Sequence, residues 1–293
     1  MFRGSIVALV TPFAKDGSVD EKTLKDLVAF HIRNGSDGIV PCGTTGESAT
    51  LDYDEHEKVI EICIQAAKGK IPVIAGTGSN STAEAVMMSR KAEKAGANGL
   101  LLVSPYYNKP TQKGLYLHFR EIAGSVKIPI MLYNIASRTA VNIEPETIAR
   151  LAADCKNIVA VKEASGSLDQ MSRVIALCGE KFTVTSGDDS LTLPLMAIGG
   201  AGIVSVVANI VPMDVKEMVT AFASGDIAKA RRLHYRLAPL VKAMFIETNP
   251  IPVKTAMGLL GMCEPSLRLP MCEMAPENLA KLKTALKEYG LLK

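Results

Sequence analysis

The sequence predicts an α/β fold, a closed (β/α)8 TIM barrel followed by a C-terminal helical extension, and three observations predict it. Eight short apolar runs rich in β-branched residues recur between residues 5 and 208. Longer amphipathic stretches separate them, and from residue 212 onward the pattern is helical only. Runs this apolar suit parallel strands covered on both faces. Eight βα units in series without a linker favour a closed barrel over an open doubly wound sheet, the alternative arrangement.

In chain order the runs are SIVALVTPF (5–13), GIVPCG (38–43), PVIAGTG (72–78), GLLLVSP (99–105), PIMLYNI (129–135), IVAVKEA (158–164), FTVTSGD (182–188) and GIVSVVA (202–208). Most carry Gly, Pro, Asn or Asp at or near their ends, as strands bounded by turns do. The segments between them include DEKTLKDLVAFHIRNG (20–35), YDEHEKVIEICIQAAKG (53–69), STAEAVMMSRKAEKAG (81–96) and EPETIARLAADC (144–155). Acidic residues stand early in these segments and Gly often follows the end, which is helix punctuation. Ser81-Thr82-Ala83-Glu84 opens one of them as a cap. Residues 213–225, 226–247, 252–261 and 276–290 read as the last barrel helix and an added helical group. The expected division is a catalytic barrel over 1–224 and a C-terminal helical domain over 225–293.

Composition narrows the function. Of 293 residues 48% are hydrophobic and 22% charged, enough apolar material for one large core. The net charge of +3 is scattered, so no nucleic-acid partner is expected. No run of about 18 apolar residues occurs, so no membrane span is expected. The opening MFRGSIVALVTPF lacks a small-residue cleavage pattern, and a cytoplasmic location is expected. Six cysteines stand far apart with no CxxC pair, the spacing of free thiols and not of a zinc site or a disulfide framework. GTGSNS (76–81) lacks the third glycine of a dinucleotide fingerprint, Ile60 replaces the second histidine of a zinc-protease motif begun at His56-Glu57, and no phosphate loop or GxSxG is present. No metal and no cofactor are expected.

What remains is a lysine inside a core strand. Alternation in IVAVKEA places Ala160, Lys162 and Ala164 on one face and Val159, Val161 and Glu163 on the other. If the alanine face lines the barrel, small neighbours leave room for a long side chain. Poor solvation there favours the neutral amine, which attacks a carbonyl carbon and forms a Schiff base. The structural alternative is an internal ion pair with Glu163 or Asp188. The other strand ends offer Thr44 and Thr45 between glycines, Tyr133, Gly187-Asp188-Asp189 and Ser205. Tyr133 is a candidate proton carrier, and Arg138 in NIASRT suits a bidentate carboxylate clamp.

GTTGES (43–48), SPYYN (104–108), LYNIASRT (132–139), VKEASG (161–166), SGDD (186–189) and NPIPVK (249–254) together resemble the 4-hydroxy-tetrahydrodipicolinate synthase (dihydrodipicolinate synthase) family over essentially the whole chain. GTTGE and the tyrosine–lysine pair alone would mark only the wider pyruvate-dependent class I aldolases. The resemblance implies that Lys162 forms a Schiff base with pyruvate, whose enamine adds to L-aspartate-4-semialdehyde. It implies that Tyr133 and Thr45 relay protons with Tyr107, which reaches in from a neighbouring subunit. Thr44, Gly187 and the backbone around Ile203 would bind pyruvate, and Arg138 the semialdehyde carboxylate. It further implies a homotetramer built as a dimer of dimers, with L-lysine as inhibitor at Ser48, Ala49, His56, Asn80, Glu84 and Tyr106. This chain departs from the family pattern at Ala136 and Ala140, where proline and glycine are more usual, and at Tyr53, where some lysine-sensitive relatives carry histidine. Two other functions compete: an aldolase acting on sugar acids through the same lysine, and a non-catalytic barrel that senses a keto acid or lysine.

Overall fold

The computed structural model describes residues 2–293. Eight strands form, β1 (Gly4–Ala8), β2 (Gly38–Val40), β3 (Ile74–Gly76), β4 (Gly99–Val103), β5 (Ile130–Asn134), β6 (Ile158–Glu163), β7 (Thr183–Ser186) and β8 (Gly202–Ser205). Each lies inside an apolar run read from the sequence or begins within one residue of it. All neighbours pair in parallel in the order β2-β1-β8-β7-β6-β5-β4-β3. The two ends meet where Ile39 bridges Val73 and the Gly76 N–H donates to Pro41 O, which closes the barrel. Strands this short suit a closed sheet, because closure removes the unpaired edges.

Helices follow the strands and cover them. Glu21–Arg33 is capped by Asp20, Tyr53–Ala67 by a reciprocal Asp52/Glu55 box, and Thr82–Ala95 by Ser81, as its sequence predicts. Gln112–Ser125, Pro145–Asp154, Leu168–Cys178, the short Thr192–Ala197 and Pro212–Ala223 complete the ring. Ile227–Met244, Ile251–Leu259 and Pro276–Tyr289 form the extension. Leu233, Leu237, Leu240 and Met244 from the extension share one hydrophobic core with Val215, Met218 and Val219 of the last barrel helix. No helix among the described residues is long and apolar enough to cross a membrane.

Two apolar layers result from strand alternation. Ile6, Ala8, Val40, Ile74, Leu101, Met131, Ala160 and Val204 fill the barrel interior. Val7, Ile39, Leu100, Leu102, Leu132, Val161 and Ile203 face the helices. One detail departs from strict alternation. The register of β5 against β6 slips between Ile130 and Met131, so Val159 is the extra residue of a bulge and packs against the interior layer. Beyond that bulge Ala160 and Lys162 take the interior face, and Tyr133 stands opposite Lys162.

Candidate active site

Lys162 is 5% exposed near the C-terminal end of β6, the end at which barrels of this kind carry their chemistry. No carboxylate of the described residues lies within ion-pair distance of it. Glu163, one of the two partners the sequence offered, points to the other face and accepts from Asn134, Gln170 and the Ser165 N–H. Asp188, the other, caps its own turn through Ser190. The ammonium instead lies over the Tyr133 ring, 4.1 Å from its centroid. An internal ion pair therefore does not account for this lysine.

Its stem is held by a missing side chain. A Cβ on Gly187 would lie 3.0 Å from Lys162 Cε, 3.1 Å from its Cγ and 2.8 Å from the Ala164 methyl. Gly187 therefore leaves the space that the lysine occupies. Next to it Asp189 is buried and accepts from Ser205 Oγ and from the Val206 and Val207 N–H groups, which fixes the chain just after β8. Burial pushes its carboxyl up to about 6, against those hydrogen bonds, which favour the charged form. Ile203 is buried with its side chain in the outer layer, so only its backbone is available to a ligand in the barrel.

Thr44 and Thr45 lie in the loop after β2. Thr45 is buried and its Oγ1 accepts from Asn249 Nδ2 at 3.0 Å. The loop turns back at Glu47, a non-glycine residue at φ +53°. Glu47 Oε1 accepts from Lys254 Nζ at 2.7 Å, and Oε2 from the Arg268 N–H at 3.1 Å. Lys254 Nζ and the Arg268 guanidinium also lie over the Phe13 ring, 4.1 and 4.3 Å from its centroid. Burial pulls the Lys254 ammonium below the usual lysine range, and Glu47 works against that shift. The extension thus anchors the threonine loop, a role that local pattern in NPIPVK did not announce.

Arg138 is exposed in the short helix Ala136–Thr139 and its Nη2 donates to Asn249 O at 3.0 Å. Ala140 ends that helix in the left-handed region at φ +57°, a conformation glycine adopts without strain, so the loop forms despite alanine at both departures. Arg138 stands between two hollows. One of about 570 Å³ also has Ala164, Gly187, Asp188, His234 and Lys242 on its wall. The other, of about 520 Å³, joins Thr44 and Asn249 to five of the residues expected to bind lysine: Ser48, Ala49, His56, Glu84 and Tyr106. In that second hollow Glu84 accepts from Ser79 at 2.7 Å, and burial lowers the His56 imidazole. Tyr53, the departure from histidine, lines the same wall.

Six expected residues line neither hollow: Lys162, Tyr133, Thr45 and Ile203, all buried, and Asn80 and Tyr107. Asn80 does not line the hollow and donates to Tyr106 O at 3.2 Å. Tyr107 is 90% exposed at φ +73° and lines neither hollow of its own chain.

The dihydrodipicolinate synthetase family model matches residues 1–289. The 4-hydroxy-tetrahydrodipicolinate synthase of Pelobacter propionicus is 59% identical over 292 residues, covering 100% of both chains. The chloride-inhibited dihydrodipicolinate synthase of Acinetobacter baumannii, solved in complex with pyruvate, superposes with a TM-score of 0.97 at 43% identity over 100% of both chains. The Cyanidioschyzon merolae enzyme, solved with lysine bound, gives 0.96 at 44% identity over 99% of each. With the motifs, the barrel and the match in agreement over nearly its whole length, this chain belongs to the dihydrodipicolinate synthetase family.

Proposed function

We propose that this protein is a lyase that condenses pyruvate with L-aspartate-4-semialdehyde to give 4-hydroxy-tetrahydrodipicolinate, the committed step of the diaminopimelate route to lysine. The observation that carries the reading is a buried lysine without a carboxylate partner, set against a tyrosine at the catalytic end of a barrel. The Lys162 amine adds to the keto carbon of pyruvate, and the carbinolamine loses water to leave the imine. Loss of a methyl proton gives the enamine, whose carbon bonds to the aldehyde carbon while the aldehyde oxygen takes up a proton. The amino group of the condensed chain then attacks the imine carbon and displaces Lys162, which closes the ring.

Each of these steps moves a proton. Tyr133, 4.1 Å from the lysine across its ring centroid, and Thr45 are the proposed carriers. Tyr107 joins them from a neighbouring copy in a homotetramer, a role that suits a side chain left in solvent in its own chain. Thr44, Gly187 and the backbone at Ile203 bind pyruvate, and Arg138 binds the semialdehyde carboxylate. L-lysine is the proposed inhibitor, with its α-amino and carboxylate groups at Glu84 and Asn80, its side-chain end at His56, and Ser48, Ala49 and Tyr106 around it. The lysine bound in the Cyanidioschyzon merolae relative supports L-lysine as a ligand. The barrel over 1–224 and the helices from 225 act as the proposed catalytic and supporting domains, in a cytoplasmic enzyme.

The test is a trap. Protein mixed with pyruvate and reduced with borohydride is expected to carry a pyruvyl adduct on the peptide containing Lys162, and addition of the semialdehyde before reduction is expected to lower its yield. An adduct on another lysine, or none, would sink the reading.

A further inference from the structure

Asn134 and Glu163 end β5 and β6 side by side, one step beyond Tyr133 and Lys162, and both are 0% exposed. Alternation turns their side chains to the face opposite Lys162. No cation of the described residues lies within ion-pair distance of the Glu163 carboxylate. Neutral donors surround it instead. Asn134 Nδ2 reaches both oxygens at 3.2 Å, the Ser165 N–H donates to Oε1 at 2.8 Å, and Gln170 Nε2 to Oε2 at 3.0 Å.

The Asn134 amide also holds a loop. Its Oδ1 accepts from the Ile143 N–H at 3.0 Å, and its Nδ2 donates to Asn142 Oδ1 at 2.8 Å. Between them run residues 135–142, with Arg138 among them. One side chain thus ties the end of the Arg138 loop to its start, and Glu163 ties that side chain to the strand of Lys162. Fixed chemistry sets the direction of this amide: a backbone N–H only donates, so the oxygen faces Ile143 and the nitrogen faces the carboxylate. Asn142 is oriented likewise, its Nδ2 donating to the Glu144 carboxylate at 3.1 Å. The loop needs such ties, because Ala140 is held at φ +57°, a strained conformation for alanine that persists only where the surroundings over-determine it.

We propose that Glu163 is a positioning residue for the second substrate: through Asn134 it holds the Arg138 loop closed and fixes the guanidinium relative to the Lys162 amine. The inference rests on the Schiff-base reading above and deepens it, since Arg138 is there the clamp for the semialdehyde carboxylate. Glu163→Gln tests it by keeping the shape and replacing one acceptor by a donor. Neither Asn134 nor the Ser165 N–H is free to reverse, so the new amide nitrogen faces a donor whichever way it turns. KM for the semialdehyde is expected to rise about 10-fold, with kcat within about threefold of the parent. The yield of borohydride-trapped pyruvyl adduct on Lys162 at saturating pyruvate should not change. On an Arg138→Ala background, Glu163→Gln is expected to raise KM no further.

A purely structural role predicts a different pattern. Loosened pairing of β5 with β6 would move Tyr133 against Lys162, lower adduct yield and kcat together, and multiply with Arg138→Ala. Either that pattern or an unchanged KM overturns the proposal. Should Glu163→Gln fail to fold, Asn142→Ala removes a half-buried part of the same tie. It is expected to raise KM about threefold with the adduct intact, and an unchanged KM there overturns the proposal equally. The trap on the unmodified protein keeps the two ideas apart. No adduct on Lys162 rejects the reading beneath, whereas an adduct there with an unchanged KM in Glu163→Gln rejects only the positioning role.

Discussion

Lys162 and Lys254 are both buried, and their surroundings are opposite. Lys254 is 0% exposed and pairs with Glu47, which the Arg268 backbone N–H also reaches. Lys162 has an aromatic ring beside it and no carboxylate. Taking an ammonium out of water is unfavourable in both places. At Lys254 a matched anion offsets that cost and the result is a fixed joint between the threonine loop and the extension. At Lys162 no anion does so, and only the face of the Tyr133 ring stands against the side-chain end. Burial by itself is therefore no sign of chemistry, whereas burial without a counter-ion at a barrel's catalytic end is.

Substitutions that exchange these circumstances should have graded effects. The largest is expected from Lys162→Ala, which removes the amine. Synthase activity is predicted to fall by about 10³-fold or more with the melting temperature hardly changed, as assayed by turnover and calorimetry. Loss of fold together with activity would place Lys162 in the same class as Lys254. Next comes Lys254→Met, which leaves the Glu47 carboxylate buried with only the Arg268 N–H. A loss of about 3–5 kcal/mol in urea unfolding is expected. Lys254→Met with Glu47→Leu should recover most of it, short of about 1 kcal/mol for the lost backbone bond. A single variant as stable as the unmodified protein would remove the contrast.

Gly187→Ala probes the space around Lys162 without touching its charge. The added methyl meets Lys162 Cε at 3.0 Å and Ala164 at 2.8 Å, so the stem must shift. A fall in kcat of about 10- to 100-fold is expected, with a stability cost of about 1–3 kcal/mol. Unchanged turnover would show that the lysine tolerates displacement.

The smallest effect concerns Asp189, a third buried ionisable group. Its folded pKa of about 6 lies above the unfolded value, so between about pH 4 and pH 6 the folded protein binds a proton that the unfolded chain gives up. Its effect is thus to lower stability as pH rises through that window, by at most about 3 kcal/mol. Asp189→Asn should flatten the dependence over that range, read as the difference in urea midpoints at pH 4.5 and pH 7 between variant and parent. An equal slope in both would assign the dependence to other groups.

Much of this was legible from the residues in order. Every strand lies in or within one residue of an apolar run, because burial on both faces leaves a continuous local signal. The alanines two positions to either side of Lys162 marked the face it shares, though not that this face points inward. The bulge at Val159 was not legible, since it arises from the pairing of two strands and leaves no mark in either alone. Thr192–Ala197, six residues long with a proline within, carries too few turns for a helical period to show. Nor was the tie from Asn249 to Thr45 readable, because a contact across 204 positions has no local spacing to detect. The resemblance marked NPIPVK without saying what its asparagine and lysine hold.

The same long ties govern the order in which the site is completed as the chain is made. Thr45, Glu47 and Glu55 emerge early, yet their partners Asn249, Lys254 and Arg268 lie 204, 207 and 213 positions later. All eight strands have left the ribosome before any of these partners exists. A nascent barrel therefore carries Lys162 on its strand while its threonine loop is still untethered, and loop-closing contacts of such span are slow to form. Synthesis that stops short of residue 249 therefore yields a barrel that carries Lys162 but lacks the ties that fix its threonine loop.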